Sequence, residues 1–409
     1  MTAPAPPRAT LVEDERTLLR VVDRALAAPV VALDTEANGL FAFQARLCVV
    51  QLAWSIDGVV EVAIVDPLAT PVAALAPLLG EAGPVKLLHD LTFDARILGE
   101  AGLRLARVRD TEVAARLLGR KALGLASLLA EELGFTLSKS LQRHDWSRRP
   151  LGRDHLAYLA GDVAHLHELD RRLGAHVDAL DLGPEVEEET AYKLAAALAP
   201  EGESRPAWSR VKGASELDPA GRAVLRRLVE VRDRVAEERD VPPFHVIGPT
   251  ELCMLAATRP RGAGELTTRI NGRARLDSRL VAALLGAIAA GVEDGDVPPA
   301  ELAIAFPPPL PRGVTERRRR VEQAIGAWRR REATRRGWNE QAVLPGHCAR
   351  DLGDAMLAAT DDASLDAAVP HIRGLGARRV GWFGEAWREL GRALRAPEPR
   401  PADPDQNRS

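Results

Sequence analysis

Four carboxylates in three separate segments stand against strongly apolar runs: Asp34 and Glu36 in VVALDTE, Asp94 in LLHDLTFD, and Asp162 in YLAGD, with Tyr158 four positions ahead of it. A carboxylate withdrawn from water is costly unless a positive partner neutralises it. No lysine or arginine adjoins Asp34 or Glu36. A divalent cation is the economical partner, because hard oxygen ligands from well-separated segments suit magnesium or manganese. A fold that uses these acids must bring three distant segments to one point.

The apolar periodicity says which elements could do so. Leu11 to Leu26 has helical spacing, whereas VVAL (30–33), RLCVVQLAW (46–54), VVEVAIVD (59–66) and VKLLH (85–89) are short, β-branched and bounded by turn residues, as strands should be. Segments 92–101, 111–118, 123–133 and 154–175 read as helices. Neighbouring strands followed by alternating helices and strands predict a mixed α/β sheet with helices packed on it. After residue 180 the strand signal stops, and two helical blocks follow. Both open with an Arg-rich helix, VLRRLVEVRDRVAEERDVP and VEQAIGAWRRREATRRGWN, and continue to a short apolar helix, a loose internal repeat. The expected divisions are a catalytic domain over 1–198, a helical domain over 207–292, a Pro-rich linker over 293–314, a second helical domain over 315–395 and a disordered tail over 396–409.

Alternate strand residues share a face, so Asp34 and Glu36 should point together while Thr35 points away. Tyr158 and Asp162, four apart on a helix, also share a face, and Asp94 opens the helix that follows strand 85–89. One cluster of four carboxylates and a phenol is therefore predicted, with a mutual repulsion that two divalent ions would relieve. Such ions suit in-line attack at phosphorus, with Tyr158 aiming the attacking water. His89 reads as a core histidine, and His165 and His167, two apart on a helix, diverge too far for zinc. KSLQRHDWSRRPL (139–151) combines cations with an aromatic and would suit phosphate contacts; it would equally suit a loop pinned by Trp146 and Pro150. In 315–338 nine Arg face three Glu. Val321, Ile325 and Trp328 recur there at core spacing, which leaves most of the arginines in solvent.

The net charge of −3 carries no global signal for nucleic acid, so any such contact must be local. The three cysteines, Cys48, Cys253 and Cys348, are far apart and form no CxxC pair, which argues against a disulfide framework or a thiolate zinc site. No apolar run approaches a membrane span, and MTAPAPPRATLVEDE lacks the features of a secretion signal, so a cytoplasmic location is expected.

In this order the motifs resemble those of the ribonuclease D family, in the tyrosine branch of the DEDD exonuclease superfamily. LCVVQLA (47–53), IVDPL (64–68), RDTEVAARLLG (109–119) and LSKSLQRHDWSRRPL (137–151) extend the match. The resemblance implies a ribonuclease H-like exonuclease domain followed by two all-α HRDC-like domains. It also implies stepwise hydrolysis of single-stranded RNA from the 3' end, as in the maturation of tRNA precursors, with two Mg²⁺ or Mn²⁺ ions and release of 5'-monophosphates. By that likeness Asp34, Glu36, Asp94 and Asp162 hold the metals and Tyr158 orients water. Lys139, Gln142, Arg148, Arg149, Trp328 and Arg329 are the expected nucleic-acid contacts. The first helical block has Val231 before Arg232 where a Trp-Arg pair is usual, while the second keeps Trp328-Arg329. A proofreading-type DNA exonuclease and a catalytically silent nucleic-acid-binding scaffold are the competing readings. The complete acidic set argues against the latter.

Overall fold

The structure is a computed structural model that describes residues 9–134, 136–137, 140–200, 205–270 and 276–395. Six strands form one sheet: β1 (Ala9–Val12), β2 (Val30–Ala37), β3 (Leu47–Ile56), β4 (Val59–Val65), β5 (Val85–Leu88) and β6 (Val108–Asp110), in the order β1-β4-β3-β2-β5-β6. The first eight residues of β3 are all buried, as a central strand covered on both faces requires. β3 pairs antiparallel with β2 and β4, while β1, β5 and β6 join in parallel.

Helices α1 (Glu15–Leu26), α2 (Ala76–Leu79) and α3 (Thr92–Glu100) bury their apolar sides against one face of this sheet. Helices α4 (Thr111–Leu117), α5 (Leu125–Leu133), α6 (Arg153–Ala164) and α7 (Leu166–Ala179) cover the other. Alternation along β2 sends Val31 and Leu33 into the first layer and Ala32 into the second. Helix α8 (Gly183–Leu198) lies along the β6 edge, against α3, α4 and β6.

Several elements differ from their sequence expectation. Residues 9–12, whose end was read as helix, form β1, because Asp14 caps α1 by accepting from the Thr17 N–H and so fixes the helix start. The three-residue β6 is too short to leave a periodic signal. The single helix expected over 154–175 is two, broken at His165, whose backbone (φ −103°, ψ −3°) ends α6 and opens α7.

The two helical blocks repeat one plan. The first runs α9 (Pro219–Glu238), α10 (Pro243–Val246), α11 (Pro249–Thr258), α12 (Ala263–Arg269) and α13 (Ser278–Asp294). After α14 (Pro299–Ala305), the second runs α15 (Arg312–Arg336), α16 (Glu340–Val343), α17 (Gly346–Ala358), α18 (Asp362–Ala368) and α19 (Ala377–Arg395). Each block thus has a long helix, a single turn, a medium helix, a short helix and a long helix around its own core. The expected linker over 293–314 is corrected: Val297 and Ala305 are buried in the first block's core, and Glu301 accepts from Trp208 Nε1 at 2.6 Å. The proline spacing there starts a helix at its first turn rather than forming a free tether.

Val321, Ile325 and Trp328 are buried as their spacing predicts, and the Trp328 ring meets those of Phe383 and Trp387 edge to face. Trp387 is fully buried. Trp387→Ala should lower the stability of the C-terminal block by about 3–5 kcal/mol, whereas Leu310→Ala, at a half-exposed position, should stay within about 0.5 kcal/mol. Urea unfolding followed by tryptophan fluorescence would measure both, and equal midpoints would refute this account of the core.

Candidate active site

Strand β2 outlasts its neighbour β5. Pairing with β5 stops at Ala32, while pairing with β3 continues through Asp34 and Glu36. The two acids therefore stand at the carboxyl end of the sheet, where α6 crosses β2 and β3. Carboxylate oxygens of Asp34, Glu36 and Asp162 all lie within 4.8 Å of one another. Asp162 comes from α6, and Tyr158, one turn earlier, packs its ring 5.9 Å from that of buried Trp146. Asp94, in the first turn of α3, is buried and adjacent, with its Oδ1 accepting from Thr35 Oγ1 at 2.6 Å.

Thr35 thus has a use that strand alternation conceals. Its side chain points away from Asp34 and Glu36 toward the α3 layer, where it receives the fourth acid. Gln51 is a second residue the motifs do not disclose. It sits opposite Asp34 across the β2–β3 pair, fully buried, and its Nε2 faces Asp34 Oδ2 at 3.4 Å. Cross-strand register was the signal that could have found it.

The electrostatics are those of buried acids crowded together. Burial raises the Asp34 pKa to about 6, against a lowering by the Thr35 N–H. Burial and then the neighbouring Asp34, Asp162 and Asp94 carry Glu36 to about 9. Burial and then Asp34 carry Asp162 to about 8. Asp94 is also pushed well up, by burial and Asp34, and only partly relieved by Thr35. The Tyr158 phenol is raised by burial and by Asp162, Glu36 and Asp34, which makes it a hydrogen-bond donor rather than a proton acceptor. Converging hard oxygen donors with, among the described residues, no ammonium or guanidinium paired to them fit divalent cations.

A sequence model of the 3'-5' exonuclease family matches residues 9–178, and one of the HRDC domain matches residues 221–288. Ribonuclease D of Jannaschia sp. (strain CCS1) is 32% identical over 288 residues, 68% of this chain and 72% of that protein. Ribonuclease D of Pseudomonas paraeruginosa is 31% identical over 347 residues, 83% of this chain and 87% of that protein. The chain belongs to the ribonuclease D family. In fold it is similar to a protein from Bifidobacterium adolescentis (TM-score 0.74, 24% identity, 96% of this chain and 99% of that one). It is likewise similar to Escherichia coli RNase D (TM-score 0.66, 23% identity, 94% and 99%).

The nucleic-acid contacts expected for this family member need sorting. Gln142 and Arg148 are exposed near Trp146, whereas Lys139 lies outside the described residues. Arg149 is instead a structural pin. Its guanidinium donates to both Asp66 oxygens, at 2.5 and 2.6 Å, and to the carbonyls of Cys48 and Trp146. Trp328 and Arg329 are also corrected as surface contacts. Trp328 is a core ring, and Arg329 is mostly covered and donates to the Glu340 carbonyl at 2.7 Å. Leu40 and Phe93, each 50% exposed and close in sequence to Glu36 and Asp94, are apolar surfaces that the acidic motifs did not single out.

The raised carboxyl pKa values fix a sign. Acids that bind protons more tightly when folded stabilise the metal-free protein below about pH 4, and that stabilisation is lost as pH rises toward 9. A divalent cation needs the same groups ionised, so its stabilisation should grow over this window. At pH 8.5, Mg²⁺ or Mn²⁺ at a hundred times its Kd should add about 2.7 kcal/mol, or roughly 5–10 °C in the exonuclease domain's Tm. At pH 5 the increment should nearly vanish. Scanning fluorimetry across pH tests this, and a metal increment independent of pH, or one surviving in Asp162→Asn, would remove the acids from the metal site.

Proposed function

We propose that the chain removes nucleotides one at a time from RNA 3' ends at the Asp34, Glu36, Asp94 and Asp162 cluster, with two divalent ions, Mg²⁺ or Mn²⁺, and release of 5'-monophosphates. The enzyme is a metal-dependent 3'-5' exoribonuclease. The observation that carries this reading is the convergence of three carboxylates from β2 and α6 within 4.8 Å, with a buried fourth beside them and a phenol one helical turn away. Bound ions would supply acidification of the attacking water and positive charge for the leaving 3'-oxygen.

The chain's own groups do the rest. Asp34, Glu36 and Asp162 would hold the ions whose positive charge draws in the reacting phosphate, and Asp94 completes the set from the opposite layer. Tyr158, kept protonated, orients the water by hydrogen bonding rather than by taking its proton. Leu40 and Phe93 offer apolar faces for the terminal nucleobases, since stacking of this kind is sequence-tolerant. Gln142 and Arg148 are suited to the phosphates that follow. The exonuclease domain spans residues 1–198, and the repeated five-helix plan supports a second HRDC-like domain over 312–395 after the first. Precursor tRNA, a structured body with a single-stranded 3' end, is the proposed substrate.

An assay of 5'-labelled RNA and DNA with Mg²⁺, Mn²⁺ or EDTA tests the reading. RNA should shorten from its 3' end only with metal, and Asp34→Asn or Asp162→Asn should fall to background while staying folded. Tyr158→Phe should lower kcat by roughly 10²-fold, the scale of a lost positioning contact, with little change in KM. Full turnover in either acid variant would refute the site, and shortening of DNA alone would favour a proofreading-type exonuclease.

A further inference from the structure

A second acidic cluster lies behind the active site. Asp90, Asp110 and Glu112 bring carboxylate oxygens within 4.8 Å of one another. This one carries its own cation. Lys193 of α8 places Nζ 2.9 Å from Asp90, 2.8 Å from Asp110 and 2.7 Å from Glu112. An ammonium has three N–H donors, and here three carboxylates surround it; a planar guanidinium could not converge on them in this way. Burial opposes the charge, yet Asp110, Glu112 and Asp90 hold the lysine pKa above its ordinary value.

What the cluster grips is the turn that presents Asp94. Asp110, whose side chain is fully covered, accepts from the N–H of Asp90 at 2.9 Å and of Leu91 at 3.1 Å, and also caps α4 through the Glu112 N–H. Asp90 is left-handed (φ 61°), a conformation that side chains other than glycine seldom adopt and that neighbours must hold in place. Both its ends are tied: its N–H to Asp110 and its carboxylate to Lys193. Leu91 then takes the position just before α3, and Asp94 follows in the first helical turn.

We propose that Lys193 is a positioning residue for the reaction. By donating to Asp90, Asp110 and Glu112 together, it holds the left-handed turn that sets the Asp94 carboxylate against Thr35 and beside the other three acids. The proposal rests on Asp94 being a metal ligand. Lys193 itself touches none of the four site acids, so its loss should be felt through Asp94 alone.

Calorimetric titration of the full chain with Mn²⁺, joined to kcat and KM on a short single-stranded RNA at saturating Mn²⁺, tests this. In Lys193→Met, Mn²⁺ affinity and kcat should each fall by at least about tenfold, the usual scale for groups that orient a metal ligand. KM for RNA should stay within about twofold. Arg116 still pairs with Glu112 at 3.1 Å, but removal of Lys193 takes the ion pair from both Asp90 and Asp110 and so destabilises the domain. Lys193→Met/Glu112→Gln deletes one charge of each sign and should show the same losses in a folded protein. Wild-type Mn²⁺ affinity and kcat in either folded variant, or a change confined to KM, would overturn the proposal. Asp94→Asn separates the two levels of argument. If it alone impairs Mn²⁺ binding, only the role of Lys193 fails; if it binds Mn²⁺ as the parent does, the assignment of Asp94 fails first.

Discussion

The burial and mutual repulsion of four acids, with no cation paired to them among the described residues, is the constraint to which the rest of the catalytic domain answers. Such a set is tolerated only if the surrounding fold is stable enough to hold it together when unpaired. The molecule provides that stability from both layers of the sheet. β2 carries two acids beyond the end of β5, α6 delivers the third beside a phenol, and α3 brings the fourth from the opposite layer to Thr35. Each element reaches the site from a separate part of the core, so no single loop determines the geometry. Burial first, and the neighbouring carboxylates second, raise the proton affinities of Glu36 and Asp162, and cation binding is the process that would offset both.

Helix α8 shows how the C-terminal block is fastened to this frame. One side sends Lys193 to the turn before α3. The adjacent Tyr192 stacks on His347 of α17, with ring centroids 3.6 Å apart and planes within 5°. One and two turns earlier, Glu189 pairs with Arg116 at 3.1 Å, and Glu185 and Glu188 face Arg378 and Arg379. Arg379 is fully buried, a costly placement for a guanidinium. The Ala342 and Leu375 carbonyls accept from it at 3.0 and 3.2 Å, which offsets part of that cost. The second helical block is therefore docked on the helix that also braces the catalytic turn, and the two contacts are one residue apart.

Much of the site was legible because its acids obey local periodicities. Asp34 and Glu36 share a strand face, Tyr158 and Asp162 share a helix face, and both pairs arrive as those spacings require. Contacts between layers were not legible. Thr35 reads as pointing away, which is correct for β2 alone and uninformative about α3 behind it. Gln51 needed the β2–β3 register, and Lys193 stands far along the chain from the carboxylates it gathers. β1 and β6 escaped because four and three residues are too few to establish a period. The stretch over 293–314 reads as a tether from sequence because proline marks both a tether and a helix start, and only packing against the first helical core distinguishes them.

The arginines teach a similar lesson about charge. Composition gives α15 a strong positive excess, yet most of that charge is answered within the block. Arg312 pairs with Glu316, Arg318 with Asp354, and Arg335 and Arg336 with Glu332. Arg317 donates to the Leu357 carbonyl, and Arg336 also lies over the rings of Trp338, Trp382 and Phe383. Among the described residues, Arg319, Arg330 and Arg331 remain exposed with no ion pair. A phosphate contact adds affinity by releasing counterions from the nucleic acid, but an arginine already paired must give up one carboxylate to gain another anion. Counting arginines therefore overstates the attraction this helix can exert on RNA, and the few unpaired ones set its scale.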